Sequence, residues 1–364
     1  MSGTSIDGVD YALCDVSPRS VKLLKHWSRE FPKELRRRLH AAAANRCGTH
    51  EVAQLHHDLG RLFARQAMQL RAGAALVGLH GQTVFHNPHR GAPATLQLGE
   101  PAYLSEALRV PVVSNFRAAD IAAGGQGAPL ATLFHKIVFA RRGEHVCVNN
   151  LGGISNVTSL DWKHGARLRM MAFDTGPANV LIDLAMREFT GGRFARDTDG
   201  EWARRGKICE GLLACWLGHP FLRRPPPKST GRELFGESFW RAEGSQFKTR
   251  QLSKSDIIAT LTEFTARSLA SNYRLHLRCP PGVVVLCGGG ARNPSLVARI
   301  THALAQNDPV TRVCVSEEFG WPMEAIEAAA FAVLAYYRWK GLPANIPQAT
   351  GASRACLLGQ VTAA

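Results

Sequence analysis

Asp174 stands in the stretch Ala172-Phe173-Asp174-Thr175-Gly176-Pro177-Ala178-Asn179. A mostly apolar run from Leu168 to Phe173 ends on this carboxylate, and the apolar spacing of Val180 to Met186 then predicts a helix. Asp174 is thereby expected at the carboxyl end of a strand, beside a helix N-terminus. Open α/β sheets bind ligands at that address, because loops converge there and helix N-termini supply positive partial charge. A carboxylate so placed takes a proton from a nucleophile or holds a metal-bound phosphate. As a cap it would instead only accept the first N–H groups of the following helix. Both readings fit the residues.

Two other stretches are suited to anions. Met1-Ser2-Gly3-Thr4-Ser5-Ile6-Asp7-Gly8-Val9-Asp10 precedes a strand expected over Tyr11–Val16. Its small and hydroxyl residues let backbone N–H groups approach a phosphate, with Asp7 and Asp10 placed to hold magnesium; a plain hairpin turn is the other reading. Strand, glycine-bearing turn and strand recur at Val146–Thr158 around Gly152 and Gly153, which suggests a phosphate chain gripped from two places. A buried strand, Val283–Leu286, runs into Gly288-Gly289-Gly290, where the missing side chains let the backbone approach a flat ligand or a phosphate, and Asn293-Pro294 starts a helix. His80, Gln82 and Thr83, after a strand expected over Ala75–Leu79, donate and accept as a polyol requires. His80, His86 and His89 have no standard zinc spacing.

Helices are expected over Pro32–Asn45, Glu51–Arg71 (capped by Thr49), Leu130–Ala140, Asp256–His276 and Glu324–Trp339, and further strands over Thr95–Leu98 and Val110–Ser114. Pro225–Glu233 reads as a rigid basic loop. At 364 residues the chain exceeds the usual single-domain size, so two lobes are expected. The formal charge of +15 suits a polyphosphate or an acidic sugar as well as nucleic acid, but the basic runs lack the aromatic interleaving of a nucleic-acid surface. Nine cysteines, an odd number with no Cys-x-x-Cys pair, argue against a disulfide framework or a zinc ribbon and for reduced, mostly buried thiols. No apolar run is long enough to span a bilayer and no signal pattern opens the chain, which reads as cytoplasmic.

Together Met1–Asp10, His80–Thr83, Phe116–Pro129 with Gly124-Gly125-Gln126-Gly127, Asn149–Thr158, Phe173–Asn179, Pro226–Glu233, Gly288–Pro294 and Glu327–Leu334 resemble the anhydro-N-acetylmuramic acid kinases, over nearly the whole chain and in the family's order. The resemblance implies a two-lobed sugar kinase/Hsp70/actin-like α/β fold, each lobe a ribonuclease-H-like mixed sheet with helices, and ATP in the interlobe cleft. The lobes are expected at 1–140 and 141–364, with the helix at 323–340 free to pack back on the first. The implied reaction opens the 1,6-anhydro ring of the amino sugar with water and phosphorylates the freed 6-oxygen, in cytoplasmic peptidoglycan recycling.

Carried over on this resemblance, Asp174 is the general base. Gly3, Thr4, Ser5, Asp7, Gly8 and Asp10 form the ATP phosphate loop, with Asp7 and Asp10 near Mg2+. Gly152, Gly153, Gly288, Gly289, Gly290 and Asn293 hold phosphates and nucleoside, while His80, Gln82, Thr83 and Arg117 contact the sugar. No nucleic acid or membrane partner is implied, and a homodimer is a possible state. Alternatives are a same-fold kinase or ATPase with another sugar and a non-catalytic nucleotide-binding remnant. Three departures from the family pattern bear on these. The apolar strand usual before Met1 is missing, which is expected to loosen the phosphate loop; Asn115 replaces Asp, and Ala178 replaces Gly.

Overall fold

The computed structural model describes residues 1–3, 6–69, 73–88, 91–163 and 165–364. The chain forms two compact α/β units, Met1–Val138 with Glu324–Ala364 and Phe139–Met323. The segment from Glu324 onward thus belongs with the N-terminal half rather than with 141–364.

In the first unit, β1 (Gly8–Ser17) and β2 (Ser20–Glu30) form an antiparallel hairpin. Tyr11 stacks on its cross-strand partner Trp27 at 4.8 Å, the kind of pair that holds a ribbon together. β2 carries Lys22, Lys25, His26 and Arg29 and is mostly exposed, so it lacks the apolar alternation that makes a strand legible. β3 (Val77–Gly78), β4 (Gln82–Asn87), β5 (Ala94–Leu98) and β6 (Val112–Ser114) follow. β6 lies between β3 and the strand Gln360–Thr362, and among the described residues β4 pairs only with β5. Among the described residues the strands of this unit fall into three small sheets, of which the one centred on β6 is mixed. Met1 and Ser2 bridge two of them: Met1 exchanges backbone hydrogen bonds with Asp10 at 2.7 and 2.8 Å, and the Ser2 N–H donates to the His80 carbonyl at 3.1 Å, just past β3.

The core under these sheets comes from Leu39, Leu55, Leu59 and Phe63 of the helices Lys33–Ala43 and Thr49–Met68, against Leu98 and Val112. Thr49 is the first helical residue rather than the cap, which is Gly48; Arg71 lies outside the described residues. The buried helix Ala325–Trp339 packs on β1, β3 and β6.

The second unit has one five-stranded mixed sheet. β7 (His145–Leu151), β8 (Ile154–Asp161), β9 (Arg169–Pro177), β10 (Val283–Cys287) and β11 (Arg312–Val315) take the order β11-β10-β7-β8-β9, with β8 antiparallel to both neighbours and the other pairs parallel. Near-continuous burial along β7 and β10 marks the centre of a two-sided sheet. One face packs on the helix Lys254–His276, which opens with a reciprocal capping box between Ser253 and Asp256, a device worth about 1 kcal/mol.

No cysteine forms a disulfide; Cys147, Cys287, Cys314 and Cys356 are buried, whereas Cys215 is exposed. Among the described residues no helix is long and apolar enough to cross a membrane.

Candidate active site

β9 does not end at Phe173. It runs on to Pro177, and the helix begins at Asn179 with Ala178 as its N-cap and no side-chain cap bond. Asp174 therefore lies inside the strand and does not cap the helix. Opposite it the pairing slips, with Asn156 facing Asp174 and Ser155 facing Gly176, so Thr175 is an inserted residue. Its hydroxyl donates to Ser155 Oγ at 2.6 Å, and Gly176 takes up the bend with φ of 129°. Bulges of this kind re-aim a neighbouring side chain.

The outer edge of β9 is covered by the Pro-rich loop. The Asp174 N–H donates to the Lys228 carbonyl at 3.1 Å, and the Thr230 N–H donates to Asp174 Oδ2 at 2.8 Å. Burial pushes the Asp174 carboxyl up to about 7; the negative charge of Glu233 adds to the rise, while the Thr230 N–H and the Lys228 ammonium oppose it. Lys228 is itself buried. Its ammonium donates to the carbonyls of Phe221 and Leu222 and, at 2.6 Å, to Asn272 Oδ1, and burial lowers its pKa to about 8. A half-buried carboxyl poised near neutrality can accept a proton from water without being fully neutralised at rest.

Close by in the same unit, Gly152 and Gly153 form the β7–β8 turn and are tied to the helix Asn179–Phe189. The N–H groups of Ala178 and Val180 donate to the Gly153 carbonyl, and Asn179 Nδ2 donates to the carbonyls of Leu151 and Gly152 at 2.9 and 2.8 Å. Gly288–Gly290 comes against this turn. A Cβ on Gly288, whose φ is 77°, would stand 2.1 Å from Asn150 Oδ1, and one on Gly290 would meet Leu151 and Asn179 within 3.0 Å. Gly289 meets nothing within 4 Å and faces open space. The expected glycine pairs are thus brought together. Asn293 is engaged as the cap of the helix Pro294–Ala305, its Oδ1 accepting the Leu296 N–H at 3.1 Å. Ala178, the N-cap, has φ of −115° and ψ of −103°.

The first unit holds the remaining candidates. Asp10 lies on β1, where Ser28 donates to its Oδ1 at 2.5 Å. Its pKa is raised by burial and, in smaller part, by the negative charge of Asp7, which places the two carboxylates within each other's field. That is the donor chemistry a magnesium ion takes. Gly8 leads into the strand; Thr4 and Ser5 lie outside the described residues, as does His89.

Gln82 is buried and bonded to the start of the loop, with a further bond from Nε2 to the Thr83 carbonyl at 3.1 Å. It accepts from Ser2 Oγ at 2.6 Å and donates to the Gly3 carbonyl at 2.9 Å, so it positions the loop through both of its polar atoms. Thr83 faces Gln97 across the β4–β5 hairpin.

Arg117 donates from Nε to His80 Nε2 at 3.1 Å and from Nη1 to the Gly127 carbonyl at 2.6 Å. Because His80 Nε2 accepts, its proton sits on Nδ1, and that buried N–H has no partner among the described residues. Burial and the Arg117 charge hold the imidazole well below its ordinary range, so it is neutral, and it packs tilted against Phe331 with ring centroids 4.4 Å apart. Asn115 takes a left-handed φ of 54°, which asparagine tolerates, and is exposed.

Several site-building residues carried no separate signal. Asp120 accepts from the Gly127 N–H, Asn345 Nδ2 and Thr350 Oγ1 at 2.7 to 2.8 Å and so closes the Gly124–Gly127 loop onto the C-terminal segment. Lys228 and Thr230 bracket Asp174 from a loop more than fifty residues downstream. Only their place in a Pro-rich basic stretch marked them.

A glycine turn, a second glycine segment against it and a strand-mounted carboxyl near neutrality are parts suited to a phosphoryl-transfer type of site. The model of the anhydro-N-acetylmuramic acid kinase family matches residues 1–364, and the chain belongs to that family. The anhydro-N-acetylmuramic acid kinase of Acaryochloris marina is 41% identical over 374 residues, covering 99% of this chain and 98% of its own. That of Synechocystis is 41% identical over 381 residues, covering 99% and 97%. Among solved structures, the activator of 2-hydroxyisocaproyl-CoA dehydratase from Clostridium difficile, with bound ADPNP, is similar over 69% of this chain and 87% of its own at a TM-score of 0.38 and 15% identity, too distant a likeness to carry an argument.

Proposed function

We propose that this chain uses ATP to convert 1,6-anhydro-N-acetylmuramic acid into N-acetylmuramic acid 6-phosphate, with Asp174 as the general base. The observation that carries the reading is the Asp174 carboxyl. It is held through Oδ2 by a single backbone N–H and is lifted to about 7, where a base is effective at neutral pH. Asp174 takes a proton from water as its oxygen bonds to the anomeric carbon; the bond from that carbon to the ring-bridging 6-oxygen breaks, and the 6-oxygen takes the γ-phosphoryl group of ATP, leaving ADP. The departing oxygen is itself the phosphoryl acceptor, so alignment of the three reactants matters more than the acidity of any one group.

Asp7 and Asp10 would hold Mg2+, which when bound neutralises phosphate charge. Gly3 to Asp10 would line phosphates, and Gly152, Gly153 and Gly288–Gly290 would line phosphates and nucleoside. The Nδ1–H of His80, unpartnered among the described residues, supports a sugar contact there, beside Arg117. Gln82 acts on the loop rather than the sugar, and Asn293 as a helix cap. The setting is the cytoplasm, in recycling of cell-wall fragments.

The test is ADP release from purified protein with magnesium and ATP, with and without 1,6-anhydro-N-acetylmuramic acid, in the wild type and in Asp174→Asn. Sugar-dependent release that falls by about 10²-fold or more in the variant supports the reading. Sugar-independent release that is equal in both proteins rejects the substrate and the base together.

A further inference from the structure

At the other end of the second unit's sheet, His145 is the first residue of β7, and its direct cross-strand partner Asp161 is the last of β8. Directly paired residues project to the same face with their Cβ atoms about 5 Å apart. Cys279 arrives from the segment ahead of β10, a segment held in place because the Gly282 N–H donates to the His145 carbonyl at 2.9 Å. One ligand atom each from His145, Asp161 and Cys279 lies within 4.8 Å of the other two; among the described residues no other three histidine, cysteine or carboxylate groups meet in this way. Cys279 Sγ is 3.4 Å from His145 Nδ1. Around a tetrahedral zinc ion, a thiolate at about 2.3 Å and an imidazole nitrogen at about 2.05 Å stand about 3.5 Å apart.

The outer contacts suit a metal as well. His145 Nε2 lies 2.8 Å from Ser159 Oγ, and a proton on Nε2 donated to that hydroxyl leaves the Nδ1 lone pair facing Cys279. The Lys163 N–H donates to Asp161 Oδ1 at 3.1 Å and fixes the carboxylate. Metal-bound histidines and carboxylates are commonly oriented by such second contacts.

We infer that His145 Nδ1, Asp161 and Cys279 Sγ form a zinc site, with water as the fourth ligand. Binding converts the Cys279 thiol to a zinc-bound thiolate and releases its proton to solvent. The mixed sulfur, nitrogen and oxygen set suits Zn2+ and disfavours Mg2+, which requires oxygen. The site lies about 20 Å along β7 from the Gly152 turn, so it would pin the starts of β7 and β10 to the end of β8 without touching the phosphates. It is independent of the kinase reading.

The test uses the full chain stripped with EDTA, dialysed against Zn2+ and assayed for bound metal, then repeated with Co2+ as an optical probe. One tight zinc per chain is expected, together with a thiolate-to-cobalt charge-transfer band. Cys279→Ser should abolish the band and weaken zinc at least about tenfold, and Asp161→Asn should weaken it while leaving the band. A zinc-induced rise in thermal midpoint should appear in the wild type and vanish in Cys279→Ser. Absence of stoichiometric zinc, or the same affinity in both variants as in the wild type, overturns the proposal. Sugar-dependent ADP release in the same samples reports separately on folding and on the kinase reaction.

Discussion

The N–H of Thr230 donates to Asp174 Oδ2 at 2.8 Å, so a residue of the Pro-rich loop fixes a carboxyl that lies fifty-six positions earlier in the chain. That bond alone would lower the Asp174 pKa. Burial outweighs it and brings the group to about 7. Because the base must be ionised to act, kcat/KM should fall about tenfold per pH unit below about 7. A flat profile between pH 5 and 7 would exclude Asp174 as the group controlling the rate.

The same shift should be readable in stability without any substrate. The folded pKa of about 7 lies above the ordinary aspartate value of 3.8, so between these two values the folded state binds more protons than the unfolded state. The contribution is favourable at low pH and is lost as pH rises through about 7. Asp174→Asn should therefore be stabilised relative to the wild type at pH 8 and lose that advantage by pH 4. Denaturant unfolding of both proteins at the two pH values measures the difference, and an equal difference at both would contradict the shifted carboxyl.

Lys228→Met removes a cation that opposes the rise of Asp174, so the acidic limb of the rate profile should move to higher pH. It also strips Asn272 Oδ1 of its 2.6 Å donor, a buried acceptor whose loss of a partner costs about 1–3 kcal/mol. An unmoved limb in a destabilised variant would mean that Lys228 is a structural residue only.

Gly288→Ala and Gly289→Ala should behave oppositely. At Gly288 the new Cβ meets Asn150 Oδ1 at 2.1 Å in a left-handed conformation, and at least about 1–3 kcal/mol of stability should be lost. At Gly289 the Cβ meets no protein atom, so the fold should be unaffected while the KM for ATP rises if the nucleotide lies against it. Melting curves and KM values for the pair separate packing from ligand contact.

Gln82→Met deletes the acceptor for Ser2 Oγ and the donor to the Gly3 carbonyl. The stability loss should be about 1–3 kcal/mol, and KM for ATP should rise more than kcat falls. A selective loss of sugar affinity with unchanged ATP binding would return Gln82 to a direct sugar contact.

Much of this was legible in the residues, because strands and helices with an apolar face announce themselves by period, and glycine or hydroxyl runs announce a close approach of backbone to an anion. The helix Lys254–His276, the turn at Gly152-Gly153 and the Gly288–Gly290 segment follow from such local chemistry. β2 does not, since its polar face hides the alternation, and neither does the end of β9, because Gly176-Pro177 reads as a breaker although the bulge at Thr175 carries the strand through it.

The sequence by itself determined which side chains were available: a carboxylate after an apolar run, glycines where a Cβ would clash, and a His-Gln-Thr cluster. Tertiary structure alone decided that Asp174 is a half-buried carboxyl and not a cap, that Gln82 binds the start of the loop, that His80 keeps an N–H unpartnered among the described residues, and that His145, Asp161 and Cys279 meet. The reason is that burial and pairing depend on segments distant along the chain. A proton affinity or a ligand set is a property of the surroundings the fold assembles, and no local spacing encodes it.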